Sequence, residues 1–177
     1  MTGQKMAGTT SRGPKVNLTT SSPAETRRLG RLIGKQAAPG DVILLQGDLG
    51  AGKTCFTQGV ARGLEIKGYV MSPTFVLVRE HRDGRLPLFH LDLYRLDNLA
   101  ELSDLGLDEY FYGPGISIVE WAEKGRGLLP QGHLMIKIEI APDNVRNLTI
   151  EATDDKHRRI VQHLKNRLKN AGSKIAD

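Results

Sequence analysis

Two periods of apolar residues run along the chain and mark out its elements. Leu29, Leu32 and Ile33 fall on one helical face. Ahead of them Ser22, Pro23 and Glu25 predict a helix start: Ser22 as N-cap, Pro23 at the first helical position, and Glu25 completing a capping box. Pro39-Gly40 predicts its end. Val42-Ile43-Leu44-Leu45 is a continuous apolar run, the habit of a strand covered on both faces in a parallel sheet. A glycine-rich turn follows, then a helix from about Lys53 to Gly63. Val76-Leu77-Val78 and the run Leu88 to Asp92 flank Arg82-Asp83-Gly84-Arg85, a hairpin signal that predicts an antiparallel pair. Ala100 to Phe111 reads as a short acidic helix stopped by Gly113-Pro114, and Ile116 to Glu120 as another buried strand. Leu134, Ile136, Ile138 and Ile140 alternate with polar residues, predicting a half-exposed strand that Asn147 to Ala152 can join. Lys156 to Asn170 is a basic amphipathic helix with Ile160, Val161, Leu164 and Leu168 on its apolar side. No internal repeat is present. The expectation is one α/β domain of the three-layer, P-loop NTPase type with a mixed, parallel plus antiparallel, central sheet.

Composition narrows the class. Hydrophobic residues are 39 % of 177, ordinary for a globular chain, and no run approaches the about 18 apolar residues of a membrane span. The one cysteine cannot make an internal disulfide, which fits a reducing, cytoplasmic compartment. Net charge is +5, yet residues 16–154 carry 15 basic against 18 acidic residues, so the excess lies at the ends. Residues 1–16 read as a disordered lead-in, 17–154 as the domain, and 155–177 as a separate basic helix and tail. Basic ends of this kind are commonly just solvated.

The chemistry lies in the turn after the first apolar run. Gly47-Asp48-Leu49-Gly50-Ala51-Gly52-Lys53-Thr54 matches G-x-x-x-x-G-K-[ST] in full, with a strand before it and a helix after it. Phosphates need converging backbone N–H groups, and glycines keep side chains out of their way. Lys53 supplies a positive charge for the β- and γ-phosphates and Thr54 a hydroxyl for Mg²⁺. This combination points to a nucleoside triphosphate. Two apolar strands end in acids, Asp92 and Glu120, and ligands in open α/β sheets sit beyond strand carboxyl ends. One of the two acids is expected to hold the metal or orient water; spacing does not divide the roles. Trp121 divides evenly between core packing and a ligand contact. His90 reads as a core or sheet residue and Cys55 as a small buried hydrophobe, and no His/Cys set has zinc spacing.

Four segments in this order, Gly47–Thr54, Ser72-Pro73-Thr74-Phe75, His90-Leu91-Asp92-Leu93-Tyr94-Arg95-Leu96 and Val119-Glu120-Trp121 with Lys124-Gly125, resemble the TsaE (YjeE) family. The resemblance covers roughly residues 18–150. It implies a small ATPase of bacterial tRNA threonylcarbamoyladenosine modification, using ATP and Mg²⁺. Gly47 to Thr54 then holds the phosphates, Glu120 is the metal carboxylate with Thr54, and Asp92 is the Walker-B-type acid acting on water. Ser72–Phe75 becomes a switch-like loop that brings Thr74 near the γ-phosphate; Trp121 lies beside the site, with Ser22 near the adenine and Arg146 in reach of the nucleotide. The implied partner is the TsaB–TsaD heterodimer, which modifies adenosine 37 with a threonylcarbamoyl group from the adenylate that TsaC makes. This chain would drive or reset that cycle, touching tRNA only indirectly and neither DNA nor membrane.

Other readings share the loop. A small-molecule or nucleoside kinase should carry an arginine-rich lid, and no dense arginine cluster lies between Thr54 and Glu120. A GTPase should carry N-K-x-D, which is absent. A nucleotide-gated RNA-binding module would act through the basic ends. With no obvious arginine finger, hydrolysis by the chain alone is expected to be slow.

Overall fold

The computed structural model describes residues 13–103, 105–125 and 127–170. Seven strands form a single mixed sheet: β1 (Lys15–Thr20), β2 (Val42–Gln46), β3 (Val78–His81), β4 (Leu88–Asp92), β5 (Ile116–Glu120), β6 (Leu134–Ile140) and β7 (Arg146–Ala152). Their order across the sheet is β1-β7-β6-β2-β5-β4-β3. The four middle strands β6, β2, β5 and β4 are parallel, and the outer ones join antiparallel. The helices are α1 (Pro23–Gln36), α2 (Lys53–Gly63), the short α3 (Leu99–Ser103) and α4 (Leu107–Phe111), and α5 (Asp155–Asn170).

Alternation along each strand divides the core in two. Ile43, Leu45, Ile118, Ile136 and Ile150 face α1, α2 and α5, whereas Leu44, Phe89, Leu91 and Val119 face α3, α4 and their loops. The result is the expected three-layer α/β arrangement. Ser22 caps α1 as its spacing predicts, its Oγ accepting from Glu25 N at 3.2 Å while Glu25 Oε2 accepts from Ser21 N. α1 and α2 pack backbone to backbone: a Cβ on Gly59 would stand 2.2 Å from the Arg27 carbonyl oxygen. That closeness holds the starts of both helices beside the glycine loop.

Four expectations need correction. Residues 15 and 16, assigned to the lead-in, begin β1; Val16, Leu18 and Thr20 turn inward while Lys15, Asn17 and Thr19 stay exposed, and the strand pairs along β7. Residues 1–12 lie outside the described residues. The basic helix is no appendage, because Ile160, Val161 and Leu164 are buried in the same core as α1 and β7. His157 Nε2 accepts from Val42 N at 3.1 Å, and Arg159 pairs with the buried Asp41, so α5 is tied to the start of the central strand. The helix expected over 100–111 is broken in two around Gly106, which has φ 62°. Finally, the first hairpin strand begins at Val78: Leu77 has φ 60°, outside extended backbone, and Val76 is exposed. No helix among the described residues is long and apolar enough to cross a membrane.

Candidate functional site

The glycine loop leaves the carboxyl end of β2, the strand between β5 and β6. Gly47 has φ 151°, and a Cβ there would meet the Ile138 carbonyl oxygen at 2.4 Å. Gly50 (φ 78°) and Gly52 (φ 109°) are left-handed; a Cβ on Gly50 would stand in open space and one on Gly52 would meet the Thr26 methyl at 3.9 Å, so the loop forms a cradle that side chains would fill. α2 starts on Gly52 with no side-chain cap, leaving first-turn N–H groups to an outside acceptor.

Lys53 Nζ folds back over the loop, donating to Gly47 O (2.5 Å) and Asp48 O (2.9 Å), and lies 3.7 Å from the centre of the Trp121 ring. Burial lowers its pKa below the usual lysine value, opposed by the carboxylates of Glu120, Glu123, Asp92 and Asp48. Thr54 Oγ1, on the next residue, donates to Glu120 Oε2 at 2.9 Å. Glu120 is 2 % exposed, and its Oε1 faces Thr57 Oγ1 (3.3 Å) and His90 Nε2 (2.8 Å).

Asp92 stands opposite Glu120 in the parallel β4–β5 register. Its Oδ2 accepts from Ser72 Oγ and from Thr74 Oγ1 (2.9 Å), and Oδ1 accepts from Tyr94 N (2.8 Å). The loop carrying Ser72 and Thr74 is thereby tied to the strand end. A cleft of about 340 Å³ brings together Lys53, Thr54, Thr74, Asp92, Glu120 and Trp121. A second hollow of about 530 Å³, on the other side of the loop, is lined by Ser22, Gly50, Ala51, Gly52, Cys55 and Arg146. Arg146 donates through Nε to Ala51 O at 3.0 Å and through its terminal nitrogen to Gly50 O at 3.3 Å, bracing the loop. Leu49 points into solvent at 73 % exposure.

Two side chains that touch Glu120, His90 and Thr57, escaped the sequence reading as site residues, and both had a local signal. His90 lies two residues before Asp92 and so shares its face of β4, and Thr57 lies one helical turn after Thr54. Cys55 is half-buried rather than fully enclosed, with its thiol donating to Pro23 O at 3.2 Å.

A mixed-sheet α/β protein with a strand–glycine loop–helix cradle and two carboxylates at neighbouring strand ends is the class that fold and site define. The family model described as "Threonylcarbamoyl adenosine biosynthesis protein TsaE" matches residues 20–148. A relative from Bacillus subtilis (strain 168), tRNA threonylcarbamoyladenosine biosynthesis protein TsaE, is 47 % identical over 145 residues, covering 82 % of this chain and 90 % of its own length. A TsaE protein of Treponema pallidum is 40 % identical over 129 residues, 73 % of this chain and 95 % of its own. The crystal structure of Bacillus subtilis YdiB superposes with a TM-score of 0.78 at 41 % identity, covering 88 % of this chain and 97 % of that one. The chain belongs to the TsaE family, whose role lies in tRNA threonylcarbamoyladenosine biosynthesis.

Proposed function

We propose that this chain is a Mg²⁺-dependent P-loop ATPase that acts on the TsaB–TsaD heterodimer in the cytoplasm, driving or resetting its cycle of threonylcarbamoyl transfer to adenosine 37 of tRNA. The observation that carries the reading is the convergence of the open Gly47–Thr54 cradle with Lys53, Asp92 and Glu120 at one end of the sheet.

The donor set fits Mg²⁺. Thr54 and Glu120 offer hard oxygen ligands, and no group of three His, Cys, Asp or Glu forms a metal cage among the described residues. Mg²⁺ favours such sites, where one or two protein oxygens act with substrate phosphates and water. Thr54 and Glu120 would hold the ion, which supplies charge neutralisation at the phosphates when bound. The loop N–H groups from Gly47 to Thr54 grip the phosphates, and the α2 N-terminus adds its dipole. Lys53 turns from the Gly47 and Asp48 carbonyls to the β- and γ-oxygens. Asp92 accepts a hydrogen bond from the attacking water and aligns it, while Thr74 and Ser72 exchange their bonds to Asp92 for contacts at the γ-phosphate side. Ser22 and Arg146 border the hollow on the adenine side. Positioning and charge neutralisation suffice for slow hydrolysis, and the partner subunits complete or order the site for faster turnover.

The test is a pull-down of the purified chain with TsaB–TsaD under ATP, ADP or no nucleotide, paired with phosphate release. Nucleotide-dependent capture, faster hydrolysis with the subunits, and loss of that stimulation in Glu120→Ala support the reading. Hydrolysis equal with and without TsaB–TsaD refutes the partner role, and absence of ATP binding refutes the site.

A further inference from the structure

His90 sits in the middle of β4 with no solvent exposure, and its Nε2 lies 2.8 Å from Glu120 Oε1. A carboxylate has no proton to give, so the proton of this bond belongs to Nε2. The other ring nitrogen, Nδ1, is buried with no hydrogen-bond partner among the described residues. An orphaned buried polar atom is costly, and here it accompanies a ring whose one hydrogen bond among the described residues goes to Glu120. Thr57 also faces Oε1, at 3.3 Å, but its single hydroxyl proton is shared with Lys53 O at 3.0 Å. His90 is therefore the undivided donor to Oε1 among the described residues.

We infer that His90 is a positioning residue: by clamping Oε1 it sets the plane of the Glu120 carboxylate so that Oε2 faces Thr54 and the glycine loop. The inference rests on the metal role proposed above for Glu120. Outer partners of metal ligands commonly act this way, fixing the ligand before the ion arrives. His90 touches neither nucleotide nor ion in this scheme.

The experiment titrates Mn²⁺ into the full chain carrying AMPPNP, reading free Mn²⁺ by its electron-spin signal. AMPPNP affinity in EDTA is measured separately. His90→Leu fills the space without a donor, and His90→Gln returns an N–H to nearly the same place. The expected result is a Mn²⁺ affinity roughly 10- to 100-fold weaker in His90→Leu, recovered in His90→Gln, with AMPPNP binding in EDTA unchanged in both. Equal Mn²⁺ affinity in wild type and His90→Leu overturns the inference. So does equal impairment of the two variants, or a matching loss of AMPPNP binding in EDTA, since either marks a merely structural role. If leucine blocks folding, His90→Asn, too short to reach Oε1, is read in its place by the same criteria. Wild type that binds AMPPNP but no Mn²⁺ overturns the Glu120 assignment itself, an outcome distinct from failure of the His90 role.

Discussion

Replacing Lys53 by Met removes an ammonium and leaves most of the stem against Trp121. The structure sets two opposing expectations for that one change. Within the loop the ammonium donates to Gly47 O and Asp48 O and stacks on the Trp121 ring, which favours the charged form. Burial opposes it more strongly, and the lowered pKa records the net result: the folded surroundings work against the charge. Stability should therefore change by less than about 1 kcal/mol in either direction, or about 2–4 °C in the midpoint of thermal unfolding for a chain of this size. Binding behaves differently. A hydrogen bond to a charged group is worth about 1.5–3 kcal/mol, and two of them to the β- and γ-phosphates total about 3–6 kcal/mol. At about 1.4 kcal/mol per tenfold, ATP affinity should fall by roughly 10²- to 10⁴-fold. Titration calorimetry with Mg²⁺-ATP and a thermal melt of the same samples give both numbers. Unchanged affinity would refute the placing of Lys53 on the phosphates, and a melting loss well beyond 4 °C would make the lysine a structural element instead.

Three further changes probe the frame around the site. Gly59→Ala should destabilise the fold although alanine is the better helix former by about 1 kcal/mol, because the added methyl meets Arg27 backbone at 2.2 Å and overpacking costs about 1–3 kcal/mol or more; a rise in the urea midpoint would mean the α1–α2 contact yields freely. Leu164→Ala, in the buried face of α5, should cost about 2–5 kcal/mol in urea unfolding, and a loss near zero would show that the helix is dispensable to the core. Acid should weaken the fold through His133, whose pKa burial lowers from 6.5 despite its bond to Pro130 O. The unfolded chain takes up that proton first, so stability declines as pH drops from 6.5 toward the lowered folded value and levels off below it. His133→Gln should flatten the decline seen by urea unfolding, and an unaltered slope would remove His133 as its source.

Much of the site was legible in the chain itself because its signals are local. The Gly47–Thr54 spacing, the apolar run before it, and the acids closing two further runs each depend on a handful of neighbouring residues, and Lys53, Thr54, Asp92 and Glu120 meet in one cleft. Helix α1 likewise announced itself through Ser22, Pro23 and Glu25, whose capping contacts involve no other part of the fold. β1 was not legible. Its six residues carry only two apolar positions, Val16 and Leu18, too few to mark a strand until β7, far along the sequence, supplies the ladder that holds them. The basic helix read as an appendage for the same reason, since what buries Ile160 and Leu164 is a sheet face assembled from distant strands. His90 shows the limit most clearly. Its place two residues before Asp92 puts it on that acid's face of β4, but only the parallel pairing of β4 with β5 brings Glu120 within 2.8 Å of it. Periodicity and spacing thus determined most of the elements and the phosphate loop, but not β1 or the break at Gly106. Which side chains surround the two carboxylates was decided by the tertiary structure, through strand pairing for His90 and through the docking of α2 and of the Ser72–Thr74 loop for the others, because such contacts join residues far apart in sequence.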